Sequence, residues 1–227
     1  MFLRRVKQML FPRPEYIGIG LDHELRFVER SSGVVHVGAH TGEEAWIYNA
    51  FRVPVIWVEA NPELIPVLSN EIQKFSGQHA LQALLTERDG EEVEFRITNN
   101  GGASSSVLQL GEHSKMYPDV NETSTVRLKS TTLERVLEKF DGHGRFDALV
   151  LDVQGAELLV LKGAGPRITQ FKFIFAECSD FEIYKDCCTV ESLSAWLKDF
   201  GYSELKRYVH HTAHGVGTVF DILFVRD

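Results

Sequence analysis

Short apolar runs, each followed by a helix-forming segment, recur through most of this chain. VVHV (34–37) precedes EEAWIYNAF (43–51), VIWVEA (55–60) precedes PELIPVLSNEIQKF (62–75), and FDALVLDV (146–153) precedes AELLVLKGA (156–164). Runs this short and this apolar read as buried strands. Strands that alternate with helices build a mainly parallel sheet with both faces covered. Further strands are read at HALQALL (79–85), EVEFRI (92–97), TVRLKSTT (125–132) and FKFIFAEC (171–178), and further helices at LERVLEKF (133–140) and VESLSAWLKDFG (190–201). Pro62 suits the first turn of its helix, whereas Pro66 lies further in, where it distorts. Residues 111–124 read as irregular. The last two strands, YSELKRYV (202–209) and TVFDILFV (218–225), are joined by HHTAHGVG (210–217), which is too short for a crossover. They therefore form an antiparallel hairpin at one edge. No repeat and no long linker divides the segment from residue 33 onward, so 33–227 is read as one domain and 1–32 as an N-terminal helix and extension.

Composition narrows the partners. At 227 residues with 44% hydrophobic and 25% charged residues, the chain can bury a core. Its net charge of −8 does not favour nucleic acid or anionic membrane. Three cysteines, Cys178, Cys187 and Cys188, make no disulfide framework and suit a reducing, cytoplasmic setting. No apolar run is long enough for a membrane span. MFLRRVKQMLF at the start lacks the features of a secretory signal. Its apolar residues share a helical face, which reads as a packed helix or a weak interfacial anchor over residues 2–11. A homo-oligomer is compatible with all of this.

In open α/β sheets a ligand sits beyond the carboxyl ends of the strands, so those ends carry the functional reading. VVHVGAHTGEE places Gly38 and Gly42 between strand and helix. Glycine there allows unusual backbone angles and a close ligand approach, and the helix start offers free N–H groups. Glu59 ends the second strand about twenty residues on, where a carboxylate can accept from both ribose hydroxyls. Asp152 ends the very apolar strand Ala148–Leu151, and Glu177 ends the next. Three strands thus deliver carboxylates to one rim. Glu157 lies in a first helical turn, where the dipole favours it.

The segments VVHVGAHTGEE, VIWVEANPE, DGEEVEF with NNGGASSS, TTLERVL and LDVQGAELLVLKGA stand in an order that resembles the FkbM-type methyltransferases, over roughly residues 33–225. The resemblance implies a Rossmann-like class I α/β fold, with a mostly parallel seven-stranded sheet, an antiparallel C-terminal strand and helices on both faces. It implies S-adenosyl-L-methionine as methyl donor and O-methylation of a sugar, glycan or polyol-like hydroxyl. Carried over by position, Gly38, Ala39, His40 and Gly42 line the methionine part of the cofactor, and His36 is counted with the cofactor-binding residues. Glu59 holds the ribose, Asn61 lies near the adenosine, and Leu84 and Leu85 lie near adenine. Asp152 faces the cofactor amino group or the acceptor. Apart from the resemblance, the loop NNGGASSS reads either as a flexible surface loop or as a segment whose Ser104 and Ser105 hold acceptor or cofactor hydroxyls, and Glu157 is assigned to the acceptor. The chain departs from the pattern at His36 and Gln154, where acidic residues are usual.

Methyl transfer is chiefly a positioning task, and a sugar hydroxyl benefits from a general base. Asp152, Glu177 and His40 are the candidates. His36 reads either as a buried histidine bonded to a neighbour or as a neutral replacement for a carboxylate. His210, His211 and His214 with Asp221 match no strong zinc pattern, and no metal is assigned. Two other classes stay open: an NAD-type dinucleotide-dependent oxidoreductase, since Glu59 also suits that ribose, and a non-catalytic binding module.

Overall fold

A computed structural model describes residues 19–20, 22–141 and 145–226. The helix read over residues 2–11 lies outside the described residues. β1 (Val34–Val37), β2 (Val55–Glu59) and β7 (Ala148–Leu151) are buried at every position, as central strands covered on both faces must be. With β3 (Gln78–Gln82), β8 (Phe173–Ser179), β9 (Tyr202–Ala213) and β10 (Gly217–Arg226) they form a seven-stranded sheet in the order β3-β2-β1-β7-β8-β10-β9. Five strands pair in parallel, and β10 runs antiparallel to both β8 and β9. The strand order reverses between β1 and β7, which places a ligand crevice at their carboxyl ends. This is the Rossmann-like architecture that the sequence implies.

Helices cover both faces. On one side Leu133 and Leu137 of α4 (Leu133–Phe140), Val160 and Leu161 of α5 (Glu157–Lys162) and Leu193 and Leu197 of α6 (Val190–Lys198) pack on the sheet. On the other lie α1 (Ala45–Phe51), α2 (Ile65–Ile72) and a 3-10 helix, Glu24–Arg30, whose Phe27 packs against Phe173 and Phe175. The segment just before residue 33 is therefore part of the same core. Because α2 begins at Ile65, Pro66 occupies its first turn, where the missing N–H is harmless, and does not distort it.

Three local readings differ from the structure. The run 79–85 is two strands. Ala83 N donates to Glu59 O at 3.0 Å, after which β4 (Leu84–Leu85) leaves the main sheet. It joins β6 (Glu122–Thr131) and β5 (Glu92–Thr98) in a separate three-stranded sheet, held by Leu84, Phe95 and Ile97. Residues 111–124 contain a short helix, α3 (His113–Met116), and the start of β6. The C-terminal strands run further than their apolar cores. β9 continues to Ala213, so His210 and His211 lie in a strand and not in the hairpin loop. Most residues of β9 are exposed, as on a strand at the edge of the sheet.

Candidate active site

The carboxyl ends of β1, β2 and β7 and the second sheet enclose a cleft of ≈ 280 Å³. One end is apolar, formed by Leu84, Leu85 and Phe95. Glu59 stands in the middle, and Gly38, Ala39 and His40 form the floor. Asp152 and Gln154 close the other end. An apolar slot, a carboxylate and an anionic end offer complementary surfaces to an aromatic base, a diol and a cation. That donor set fits S-adenosylmethionine.

Glu59 is buried at 6% exposure and serves the turn as well as the cleft. Its Oε2 accepts from His40 N at 2.8 Å and its Oε1 from Asn61 N at 2.7 Å. Burial raises its pKa, and these backbone donors pull it down. Each carboxylate oxygen keeps a further lone pair for a ligand hydroxyl. His40 adopts φ 44°, and its Nε2 lies 3.1 Å from Gly101 O, so the glycine-serine loop leans on the turn after β1.

The two glycines are required for reasons other than ligand approach. At Gly38, with φ +83°, a Cβ would lie 1.7 Å from the carbonyl oxygen of Asp152. At Gly42, with φ +78°, it would meet Leu68 Cδ1 of α2 at 2.8 Å. The strand seam excludes a side chain at Gly38, whereas at Gly42 the neighbour is the movable end of a leucine and the left-handed φ is what favours glycine. The Gly38 backbone still lines the cleft, whereas Gly42 is not among the lining residues.

His36 is 4% exposed, stacks on Trp57 with centroids 4.7 Å apart, and places Nδ1 3.0 Å from the Tyr48 hydroxyl. Burial lowers its pKa to about 4, with Asp152 opposing, so the ring is neutral at physiological pH. It is both a bonded core histidine and part of the cleft wall.

Asp152 is exposed toward the cleft, yet protein crowds it enough that lost hydration raises its pKa. Gln154 counteracts this. Its Nε2 donates to Asp152 Oδ1 at 2.6 Å and to Glu177 Oε1 at 3.2 Å, and its Oε1 accepts from the Tyr184 hydroxyl at 2.6 Å. The tyrosine fixes the amide orientation, and the amide bridges two carboxylates. An acidic residue at 154 would add repulsion at that point.

The remaining sequence candidates separate into two groups. Ser105 lines the cleft, but its Oγ accepts from Thr98 N at 3.2 Å. Ser104 Oγ is bonded to Asn100 Nδ2 and His113 Nε2, each at 3.0 Å. NNGGASSS is thus a folded wall whose hydroxyls brace it. Asn61 holds the chain beyond β2, its Oδ1 accepting from Glu63 N at 3.0 Å. Glu157 is not brought into the cleft. At 1% exposure, its Oε1 accepts from Val153 N and Gly155 N, each at 3.2 Å, so it braces the turn before α5. Glu177 lies just outside the cleft lining, with its side chain 18% exposed. Sequence reasoning missed Phe95, Tyr184 and Glu44. Phe95 carried a usable signal as an inward position of an alternating strand. The His211 ring lies tilted against Tyr117 with centroids 5.3 Å apart, while His210, Glu177 and Asp221 bring donor atoms within 4.8 Å of one another.

Comparison with known proteins gives the following. A family model described as "Methyltransferase FkbM domain" matches residues 36–204. A 2-O-methyltransferase, NoeI, from Sinorhizobium fredii (strain NBRC 101917 / NGR234) is 22% identical over 175 residues, covering 74% of this chain and 71% of that protein. Among solved structures, a putative transferase from Pyrococcus horikoshii is similar with TM-score 0.46 and 14% identity. It spans 87% of this chain, which in turn covers only 58% of that one. Magnesium protoporphyrin IX methyltransferase (ChlM) from Synechocystis PCC 6803, with bound SAH, has TM-score 0.47 and 8% identity, covering 87% of this chain and 74% of that one.

Proposed function

The chain belongs to the FkbM methyltransferase domain family, and from that premise we propose that it transfers the methyl group of S-adenosylmethionine to a hydroxyl of a sugar, glycan or similar polyol-like acceptor. Methyltransferase activity with S-adenosylmethionine as cofactor follows from the family, and it decides against a dinucleotide-dependent oxidoreductase. The acceptor class is our reading, and one observation carries it. The curated relative that aligns over 175 residues is a 2-O-methyltransferase. The carboxylates Asp152 and Glu177 at the strand ends support it, as groups able to accept the proton of a hydroxyl.

In this reading the backbone at Gly38–His40 holds the methionine part, Glu59 the ribose, and Leu84, Leu85 and Phe95 the adenine. Asp152 faces the amino group or the acceptor. The cofactor, when bound, supplies an electrophilic methyl on a sulfonium. The protein aligns the acceptor oxygen behind that carbon, excludes water and receives the proton. Residues 33–227 are taken as the catalytic unit. Among the described residues no helix is long and apolar enough to cross a membrane, and all three cysteines are free. Those thiols support a cytoplasmic location.

The test is transfer of labelled methyl to a panel of sugars and glycans, with amines, thiols and carboxylic acids in parallel. Label should appear in a product that resists mild alkali, as an ether does and an ester does not. Label found only on nitrogen, sulfur or carboxylate would defeat the reading.

A further inference from the structure

The strand ends form a line across the sheet. Leu151 of β7 is level with Ala176 of β8, so Asp152 and Glu177 follow side by side. Asp221 of β10 stands opposite Glu177. One strand further out the register slips. Val219 pairs with His211 and Phe220 with Val209, which leaves His210 of β9 with no opposite residue. Such a bulge adds one residue to a strand and re-aims its side chain. Here His210 Nδ1 lies 3.2 Å from Asp221 Oδ2, and its Nε2 lies 4.0 Å from Glu177 Oε2. The other oxygen of Glu177 accepts from Gln154, the amide that also holds Asp152. Glu177 is therefore flanked by a donor on one side and an imidazole on the other.

We propose that the acceptor binds over these strand ends, outward from Asp152, and that Glu177 takes its hydroxyl proton while His210, held by Asp221, orients and charge-balances Glu177. This rests on the O-methylation reading above. As the acceptor oxygen bonds to the methyl carbon, the carbon–sulfur bond breaks with its electron pair going to sulfur. The O–H proton goes to a Glu177 carboxylate oxygen. Asp152, which lines the cleft beside Gly38, is left to face the cationic end of the cofactor.

The surroundings suit Glu177 to that task. Burial raises its pKa well above the usual carboxylate range, and Asp152 from β7, Asp221 from β10 and Glu157 from α5 add to the rise. His210 is the charge that opposes them. Two phenols, Tyr117 and Tyr184, also face Glu177. Beyond the trio, Glu24 faces Asp221 and His210, and Glu44 faces Asp152. His210 itself is pushed up to about 9, first by its bond to Asp221 and then by Glu177, against burial. It is therefore cationic at neutral pH. His210 acts through Glu177 and is a positioning residue.

Two measurements on the full chain test this. The first is an NMR titration of the histidine ring carbons with S-adenosylhomocysteine bound. His210 should titrate near 9, and its pKa should fall by about one unit or more in Asp221→Asn and in Glu177→Gln. Titration near the ordinary histidine value, or no change in either variant, would overturn the proposal. The second is the pH dependence of kcat with an acceptor found in the panel. Glu177→Gln should lose about 100-fold or more. His210→Gln should move the acidic limb upward by about one unit, recovering toward high pH, with S-adenosylhomocysteine affinity changed by less than about twofold. His214→Gln, in the exposed hairpin, should behave as wild type. An unmoved limb in His210→Gln, full turnover in Glu177→Gln, or turnover that requires an added divalent cation would sink the proposal alone. Absence of transfer to any hydroxyl by the wild type would sink the reading it rests on.

Discussion

At the scale of single residues, Glu59 shows how a side chain can serve fold and ligand together. The sequence places an acid at the end of the second strand and assigns it to a ribose. The structure adds that both of its oxygens already accept backbone N–H groups, from His40 and Asn61. Glu59→Ala should therefore do two things. It should weaken S-adenosylhomocysteine binding at least about tenfold by calorimetry, since charge-assisted hydrogen bonds contribute about 1.5–3 kcal/mol each. It should also lower the melting temperature of the free protein, because two backbone donors, one buried and one part-buried, lose their acceptor. Unchanged affinity with a lowered melting temperature would make Glu59 a turn brace alone. Asp152, Gln154 and Glu177 teach the same lesson. Gln154 reads in the sequence as a lost charge, yet in space it is the amide that lets two carboxylates stand close together.

At the scale of elements, the glycine turn is governed by the seam between β1 and β7. A Cβ at Gly38 would overlap the Asp152 carbonyl oxygen at 1.7 Å, and φ +83° is unfavourable for any other residue. The glycine that the sequence assigns to unusual backbone angles and close ligand approach is thus required first by the strand seam. Gly38→Ala should cost roughly 2–4 kcal/mol of stability or prevent folding, since a fixed backbone atom cannot yield as a flexible side chain can. Urea unfolding followed by circular dichroism measures this. A variant as stable as wild type that has lost only cofactor affinity would show that the ligand, and not the seam, requires the glycine. The hairpin carries the opposite lesson. Its pairing was legible in two strands joined by a connection too short for a crossover, but the bulge at His210 was not. A bulge depends on how two strands twist against each other, and neither strand alone encodes that register.

At the scale of the whole molecule, the buried ionisable groups shape stability against pH. His36 has its pKa lowered from 6.5 to about 4 by burial. Below 6.5 the unfolded chain binds a proton there that the folded chain refuses until about pH 4, so this residue lowers stability as pH falls through that window. At about 1.4 kcal/mol per unit the loss approaches roughly 3 kcal/mol. Glu59, Glu157 and Glu177 have raised pKa values and push the other way, because protonation relieves them in the folded state. The informative quantity is thus the stability difference between wild type and His36→Gln, measured by urea unfolding between pH 7 and 4. That difference should shift against the wild type by roughly 3 kcal/mol toward the acid end, and a flat difference would show that the imidazole is protonated in place. The sequence by itself determined the parallel sheet, the crevice at its strand ends and the carboxylates of β2, β7 and β8. Apolar periodicity and strand-end chemistry are local, and each can be read within a dozen residues. Only the tertiary structure decided that Glu157 is buried beneath the turn before α5, that the serines brace their own loop, and that His210 meets Asp221 and Glu177. Those outcomes depend on which distant backbone donors and neighbouring strands come within hydrogen-bond reach, a property of register and packing that no single segment contains.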